Sequence, residues 1–340
     1  MREKIKGSRS LLVDFQREGC RVVPLSSDSR YDLRPLVKLP ILIREEKPDI
    51  LHTHLPRADF VGAIGHLFYA SIPWVCSIHG IYDESWSGKW TLPLFKFIWR
   101  RPDVLISISH AVKLWLVQKR NFSPEKVTVI YYGIEAEHFI KPNSDLRKGW
   151  NLDGNAIIGS IGRLELRKGH GTLIKAMPLI LKKVPNAILL IAGHDPWGYG
   201  EKLEIMIDEL KLNSKVKLLG FQNDIPSFLH AIHVFAFASS SEGFGQVIIE
   251  AMAAGKPVIA NRIPPLTEIV LDGQTGLLVE PDNPEAFARA VVWLLQKPEE
   301  ARRMGIEGQR RVSNQFNAKR MSDRILSVYT KLLGIRDGSA

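Results

Sequence analysis

Short apolar runs that alternate with helical patterns constrain this chain more than any other feature. Runs such as Ile157–Ile161, Ile188–Ala192 and Val234–Ala238 are apolar almost without interruption. A strand apolar on both sides must be covered on both faces, which a parallel sheet flanked by helices provides. The other strands expected on the same grounds are Arg21–Pro24, Ile50–His54, Trp74–Ile78, Val104–Ser107, Val127–Tyr131, Val216–Leu219, Val258–Ala260 and Leu277–Val279, with helices filling the gaps. The class is therefore α/β. At 340 residues the chain exceeds a typical single domain, so two domains, each with its own parallel sheet, are expected. The break is placed in Lys141–Asp153, where Pro142, Asn143, Ser144 and the following Gly154 interrupt the pattern. That gives a first domain over 1–142, a second over 154–315 and terminal helices beyond.

The chemistry concentrates around Glu242-Gly243-Phe244-Gly245 and Glu250. Gln246–Ala254 reads as a helix stopped by Gly255 and Pro257, with Gly243 and Gly245 just before its start. Unpaired N–H groups and the positive end of the helix dipole attract an anion there, and glycine lets it approach the backbone. Phosphate is the natural candidate. Glu250 lies in an otherwise apolar helix, so its carboxylate needs hydrogen-bond donors, such as the hydroxyls of a ribose, or an ion pair with Lys256 or Arg262. A second signal is Gly162-Arg163-Leu164, with Lys168-Gly169 after it, leaving the carboxyl end of the Ile157–Ile161 strand. In an open parallel sheet that edge binds ligands, and a guanidinium with an ammonium neutralises a pyrophosphate.

These motifs resemble the retaining glycosyltransferases of the GT-B fold, the glycosyl transferases group 1 / family 4 type, in which two Rossmann-like domains face each other. The resemblance runs from about Ile50 to the end. It includes Pro48-Asp49-Ile50-Leu51-His52-Thr53-His54, Ile78-His79-Gly80, Val129-Ile130-Tyr131-Tyr132-Gly133-Ile134 and the Gly-Arg-Leu and Lys-Gly stretch. It continues through Ser241–Gly245, Glu250–Ala260, Glu268–Val270 and Asp272–Val279.

The resemblance implies that Arg163 and Lys168, beside Gly162, hold a donor diphosphate, assisted by the amides around Gly243, Phe244 and Gly245. Glu250 would take the ribose hydroxyls and Glu242 the hydroxyls of the transferred sugar. His79 would sit at the donor sugar near the reacting carbon, and backbone near Asp224 and Ile225 would contact the base. The implied reaction moves a sugar from a nucleoside-diphosphate sugar, UDP before GDP, to a hydroxyl acceptor with retention of configuration. Cell-envelope polysaccharide or glycolipid synthesis is the implied setting. No metal cofactor is expected, and no Asp-x-Asp motif is present. The last helix, within 316–340, would cross back toward the first domain. Two departures stand out. Tyr132 replaces the Asn that the family pattern predicts, and the chain opens in what reads as the helix before a third strand. The N-terminal strands and glycine-rich loop, about two β-α units or roughly 50 to 80 residues, are thus expected to be missing. An inactive truncated nucleotide-binding remnant, or a nucleotide-sugar epimerase of the same shape, remain alternatives.

Composition limits the other classes. Cys20 and Cys76 are too few for a disulfide framework, consistent with a reducing cytoplasm. No run reaches the roughly 18 apolar residues of a membrane span, and no secretory apolar core follows Met1. The formal charge of +10 suits an anionic surface, but no nucleic-acid motif accompanies it. Lys89–Arg101 interleaves Trp90 and Trp99 with basic and aliphatic residues, as an interfacial helix contacting an anionic membrane near a lipid-linked acceptor would, or as a helix with an aromatic core face. His52 and His54 share one strand face without a third ligand of convincing spacing, which points to lining a cleft rather than metal.

Overall fold

The computed structural model describes residues 11–25, 32–82, 91–150 and 152–335. The chain divides into two compact units, one of residues 1–130 with 323–340 and one of residues 131–322. Each unit is built on its own parallel sheet.

In the first unit β1 (Leu51–His54), β2 (Trp74–Ile78), β3 (Val104–Ser107) and β4 (Val127–Val129) lie side by side in sequence order. All three pairings are parallel, with Thr53 beside Cys76 and Cys76 beside Leu105. All of β2 is buried, Ser77 included, as a strand covered on both faces requires. Helices α1 (Leu11–Arg17), α2 (Arg34–Glu46), α3 (Pro56–Phe68), α4 (Thr91–Ile98) and α5 (His110–Leu114) connect or flank the strands. Ser109 caps α5 by accepting from the Val112 amide at 3.1 Å. The expected strand at Arg21–Pro24 does not form: these residues are coil, and Arg21 pairs with Glu46 instead of joining a ladder. A short apolar run becomes a strand only where a neighbour offers its backbone groups, so composition alone misled there.

Trp99 favours one of the two readings of the Lys89–Arg101 segment, the helix with an aromatic core face. Its side chain is 1% exposed, and its indole Nε1 donates to the Asp59 carboxylate at 2.9 Å, so this end of the Lys89–Arg101 segment faces the core. Lys89 and Trp90 lie outside the described residues. Leu94 and Phe97 remain on the surface.

The second unit carries six parallel strands in the order β10-β9-β8-β5-β6-β7. Their ranges are Ala156–Ile161 for β5, Ala187–Ala192 for β6, Val216–Leu218 for β7, Val234–Phe237 for β8, Val258–Asn261 for β9 and Gly276–Val279 for β10. The connecting helices, after the one-turn α6 (Leu146–Gly149), are α7 (His170–Leu181), α8 (Tyr199–Glu209), α9 (Ile225–Ala231), α10 (Gln246–Ala253), α11 (Leu266–Ile269) and α12 (Pro284–Gln296). Then come α13 (Pro298–Gln315) and α14 (Ala318–Leu332), the last starting in the second unit and ending in the first. Ile158, Ile174, Met177, Leu189, Ile191, Phe287 and Val291 form the heart of one core cluster. Burying each such side chain contributes roughly 1.5–3 kcal/mol.

Strand order reverses between β5 and β8, because β5 connects forward to β6 on one side while β8 lies on the other. In open α/β sheets that switch point opens a crevice beyond the carboxyl ends of the strands. The loops leaving β5 and β8 are 162–169 and 238–245. They carry the two motifs that stood out in the sequence.

Candidate functional site

The two switch-point loops are fastened to each other by backbone before any side chain takes part. The Ser240 amide donates to the Arg167 carbonyl at 2.8 Å, and the Ser239 hydroxyl donates to the same oxygen at 3.1 Å. Gly169 sits at φ +70°, and a Cβ there would lie 1.9 Å from the Ala238 carbonyl oxygen. Only glycine lets the loop after β5 approach the end of β8 this closely. On the other side a Cβ on Gly193 would lie 1.8 Å from the Gly162 oxygen, so the loop after β6 also packs without side-chain clearance.

His170 holds the loop from below. It is 1% exposed, and its Nε2 lies 3.2 Å from both the Gly162 and the Arg163 carbonyl oxygens. Two carbonyl acceptors require a proton on that nitrogen. Burial pushes the imidazole pKa down to about 4, so the ring is neutral at ordinary pH.

On this frame the cations meet carboxylates. Lys168, in a single 3-10 turn, reaches Glu242 Oε1 with Nζ at 2.5 Å, and both side chains are largely buried. Glu165 Oε1 lies 3.3 Å from Arg163 Nη2 and 3.0 Å from Arg167 Nη2. The Arg163 guanidinium also stands 5.2 Å from the centroid of the Trp197 ring. Each of the three cations thus has an ionic partner, with Glu165 shared between two of them. A dianionic ligand would trade places with Glu165 and Glu242, keeping the cations' partners ionic throughout.

Helix α10 starts where expected, with Gly245 at φ +110° as its N-cap and Phe244 buried beside it. Phe244 packs against Tyr131, Tyr132 and Phe316, at ring-centroid separations of 5.9, 5.4 and 5.8 Å. Tyr132, the departure from the family pattern, therefore serves this aromatic cluster, and burial pushes its phenol up to about 12. Gly243 precedes this turn, half-buried. Glu250 lies one turn into α10 and accepts from Gln246 Nε2 at 3.1 Å. Burial raises its pKa. The ion pair considered for it is not made: Lys256 donates to the Ile232 carbonyl at 3.0 Å, and Arg262 pairs with Asp272 at 2.5 Å. Ile225 opens α9 just past β7, where Asp224 caps the helix by accepting from the Ser227 amide at 3.1 Å.

In the first unit His79 follows β2 directly, at the carboxyl end of that sheet. Its Nε2 lies 3.0 Å from His54 Nδ1. One of the two nitrogens carries the proton, so the tautomer of each ring dictates that of the other. The His52 and His54 rings lie 4.2 Å apart, and His52 bonds Tyr329 Oη at 2.5 Å and Ser77 Oγ at 2.8 Å. Burial first, and the neighbouring imidazoles second, lower His79 to about 4 and His52 to about 3. Among the described residues no group of three or more His, Cys, Asp or Glu is placed to hold a metal ion.

Arg163, Lys168, Glu242, Gly243, Phe244, Gly245 and Glu250, with Gly162, thus share one edge of the second unit's sheet, with Ile225 on a neighbouring loop of that edge. Sequence reasoning overlooked Glu165, His170 and Trp197. The first two lie inside or beside the Gly-Arg-Leu loop, so proximity was their available signal. Trp197 had none, because only the topology brings the loop after β6 to Arg163.

Two family models match the chain, one after the other. Residues 4–138 match the model described as Glycosyltransferase Family 4, and residues 143–311 match Glycosyl transferases group 1. The chain is 28% identical to the capsular polysaccharide biosynthesis glycosyltransferase CapM of Staphylococcus aureus, over 96% of this chain and 89% of that protein. It is 27% identical to the UDP-Gal:alpha-D-GlcNAc-diphosphoundecaprenol alpha-1,3-galactosyltransferase of Escherichia coli, over 92% and 82%. Among solved structures, Anabaena Alr3699/HepE in complex with UDP-glucose superposes with a TM-score of 0.83 at 25% identity, covering 94% of this chain and 88% of that one.

Proposed function

Because the chain belongs to the GT-B glycosyltransferases, joining a family 4 domain to a group 1 domain, we propose that it moves a sugar from a nucleoside-diphosphate sugar to a hydroxyl acceptor with retention of anomeric configuration. The observation that carries this reading is the switch-point edge, where Arg163 and Lys168 stand ready to exchange Glu165 and Glu242 for a diphosphate. UDP is the first donor to test, since the names of the Escherichia coli and Anabaena proteins specify UDP-sugars. The diphosphoundecaprenol acceptor named for the same galactosyltransferase supports a lipid-linked acceptor, and the capsular polysaccharide role named for CapM supports a setting in cell-envelope polysaccharide synthesis.

In this mechanism the bond between the anomeric carbon and the diphosphate oxygen breaks, and the acceptor oxygen bonds to the same carbon on the same face. The acceptor's proton passes to an oxygen of the departing phosphate, so no side-chain nucleophile is needed. Arg163, Lys168 and the amides at the start of α10 stabilise the charge that grows on the leaving group, which is the preorganised form of electrostatic catalysis. Glu242, freed from Lys168, accepts from the sugar's hydroxyls, and Glu250 takes those of the ribose. His79 serves the donor sugar as a neutral imidazole, and a neutral ring suits a group that must not repel a cationic, oxocarbenium-like sugar. The exposed Leu94 and Phe97, with Arg100 and Arg101 beyond them, supply an apolar and basic surface for a peripheral contact with anionic membrane. No helix of the described residues is long and apolar enough to cross a membrane.

Thermal unfolding with UDP, GDP and ADP tests the core of this reading. A ligand present at a hundred times its Kd and bound only to the folded state adds about 2.7 kcal/mol, a shift of a few degrees. UDP should give that shift, and Arg163→Ala should weaken its binding roughly ten- to a hundred-fold, as loss of charged hydrogen bonds does. A protein indifferent to all three nucleotides would refute the proposal.

A further inference from the structure

The turn after β6 carries Trp197, a residue 61% exposed although the backbone around it is tied down at several points. The Asp195 carboxylate accepts from the Tyr199 and Gly200 amides at 2.8 and 2.9 Å, anchoring the turn to the start of α8. On one side the Leu164 amide donates to the His194 carbonyl at 2.9 Å. On the other the Gly193 amide donates to the Gly220 carbonyl at 2.8 Å. The turn is therefore strapped between the loop that carries Arg163 and the loop that leads to Ile225. A large aromatic held rigidly and left in solvent forgoes the burial that its area would otherwise earn.

Arg163 covers one face of the ring, with its guanidinium carbon 5.2 Å from the centroid. The exposure of the residue leaves the opposite face available. Phe221, 42% exposed, sits next to Gly220 on the adjoining loop, so two exposed aromatics flank the path from Arg163 toward Ile225. A flat π-face beside a diphosphate-binding guanidinium suits one chemical class, a heteroaromatic base linked through a ribose to two phosphates. Such stacking tolerates different bases and depends on the ring rather than on a hydrogen-bond code.

We propose that Trp197 is the stacking platform for the nucleobase of the donor, with Arg163 backing the ring and reaching the diphosphate. The inference rests on the nucleotide-sugar reading and adds the residue that holds the base. Arg163 then has two functions joined in one contact: it grips the phosphates, and its cation stiffens the platform from behind.

Calorimetric titration of the whole protein with UDP and, separately, with inorganic pyrophosphate tests this, using wild type, Trp197→Ala and Trp197→Phe. Trp197→Ala should bind UDP tenfold or more weakly and pyrophosphate as the wild type does, while Trp197→Phe keeps most UDP affinity. An equal loss for both ligands would reduce Trp197 to a support for Arg163 and overturn the proposal. So would undiminished UDP binding by Trp197→Ala with its thermal stability intact. Wild-type protein that binds pyrophosphate but gains nothing from the nucleoside overturns the platform alone, whereas wild type that binds neither ligand overturns the nucleotide-sugar reading beneath it.

Discussion

At the carboxyl edge of the second unit's sheet, Arg163, Arg167 and Lys168 each face a carboxylate. At the same edge of the first unit's sheet, His52, His54 and His79 face one another, with Tyr329 and Ser77 on His52. The first arrangement stores charge and the second removes it. Ion pairs across the β5 and β8 loops keep three cations in place until an anion replaces the carboxylates, so binding there is an exchange of partners that salt weakens. The imidazoles are held neutral by burial and communicate through single protons, so they respond to tautomer and hardly to ionic strength. One edge is suited to gripping a leaving group, the other to directing hydrogen bonds at neutral hydroxyls.

The sharpest way to break this contrast is His79→Ala. Turnover should fall roughly a hundredfold, at the lower end of what positioned proton and hydrogen-bond groups contribute, while UDP affinity stays within a few-fold of wild type. Single-turnover rates and equilibrium titration separate the two effects. If His79→Ala weakened UDP binding as much as Arg163→Ala, the division between the edges would be false. Because His79 is depressed to about 4, it should also add no limb to the kcat profile between pH 5 and 8.

His170 brings the imidazole device into the charged edge, and it sharpens the contrast through stability. Its pKa is lowered to about 4 in the folded protein, against about 6.5 unfolded. Between those values the unfolded chain binds the extra proton, so stability falls as pH drops from 6.5 toward 4. For a fully buried ring the loss is on the order of 3 kcal/mol. His170→Gln, whose side-chain amide can still donate toward the Gly162 and Arg163 carbonyls, should be less stable at pH 7.5 yet lose less on acidification. Urea unfolding at pH 7.5 and 5 measures both slopes, and parallel losses would show that another group carries the acid sensitivity.

What the sequence disclosed about these edges follows the same division. The β-α alternation exposed the class and nearly every strand, because an apolar run covered on both faces leaves a periodicity that no other arrangement needs. The Gly-Arg-Leu and Glu-Gly-Phe-Gly loops were legible because glycine and charge are conspicuous between apolar runs. Partners were not. That Lys168 faces Glu242, that Glu165 serves two arginines, or that Trp197 lies over Arg163 depends on strand order, and β8 lies beside β5 rather than β7 for reasons no local window contains. Trp99 shows an open choice: its spacing among basic residues suits a membrane surface or a core face alike, and a single buried acceptor, Asp59, draws it inward.

Asp59 supplies the smallest and most selective test, because it is a carboxylate treated unlike Glu165 and Glu242 of the second unit, which face cations. It is fully buried in the first unit, where Trp99 Nε1 donates to it and the Thr53 and Cys76 side chains lie beside it, and among the described residues no ion pair involves it. Burial, the largest influence, raises its pKa, so the folded state prefers the neutral acid. The sign is opposite to that of His170. Above the ordinary carboxylate range the unfolded chain releases this proton and the folded chain retains it, so stability falls as pH rises. Asn at this position keeps the acceptor for Trp99 and carries no charge to desolvate, so Asp59→Asn should match or exceed wild type by about 1 kcal/mol at pH 8 and lose the advantage toward pH 4. A variant less stable than wild type at pH 8 would mean that the carboxylate is charged and paired after all, as Glu165 and Glu242 are.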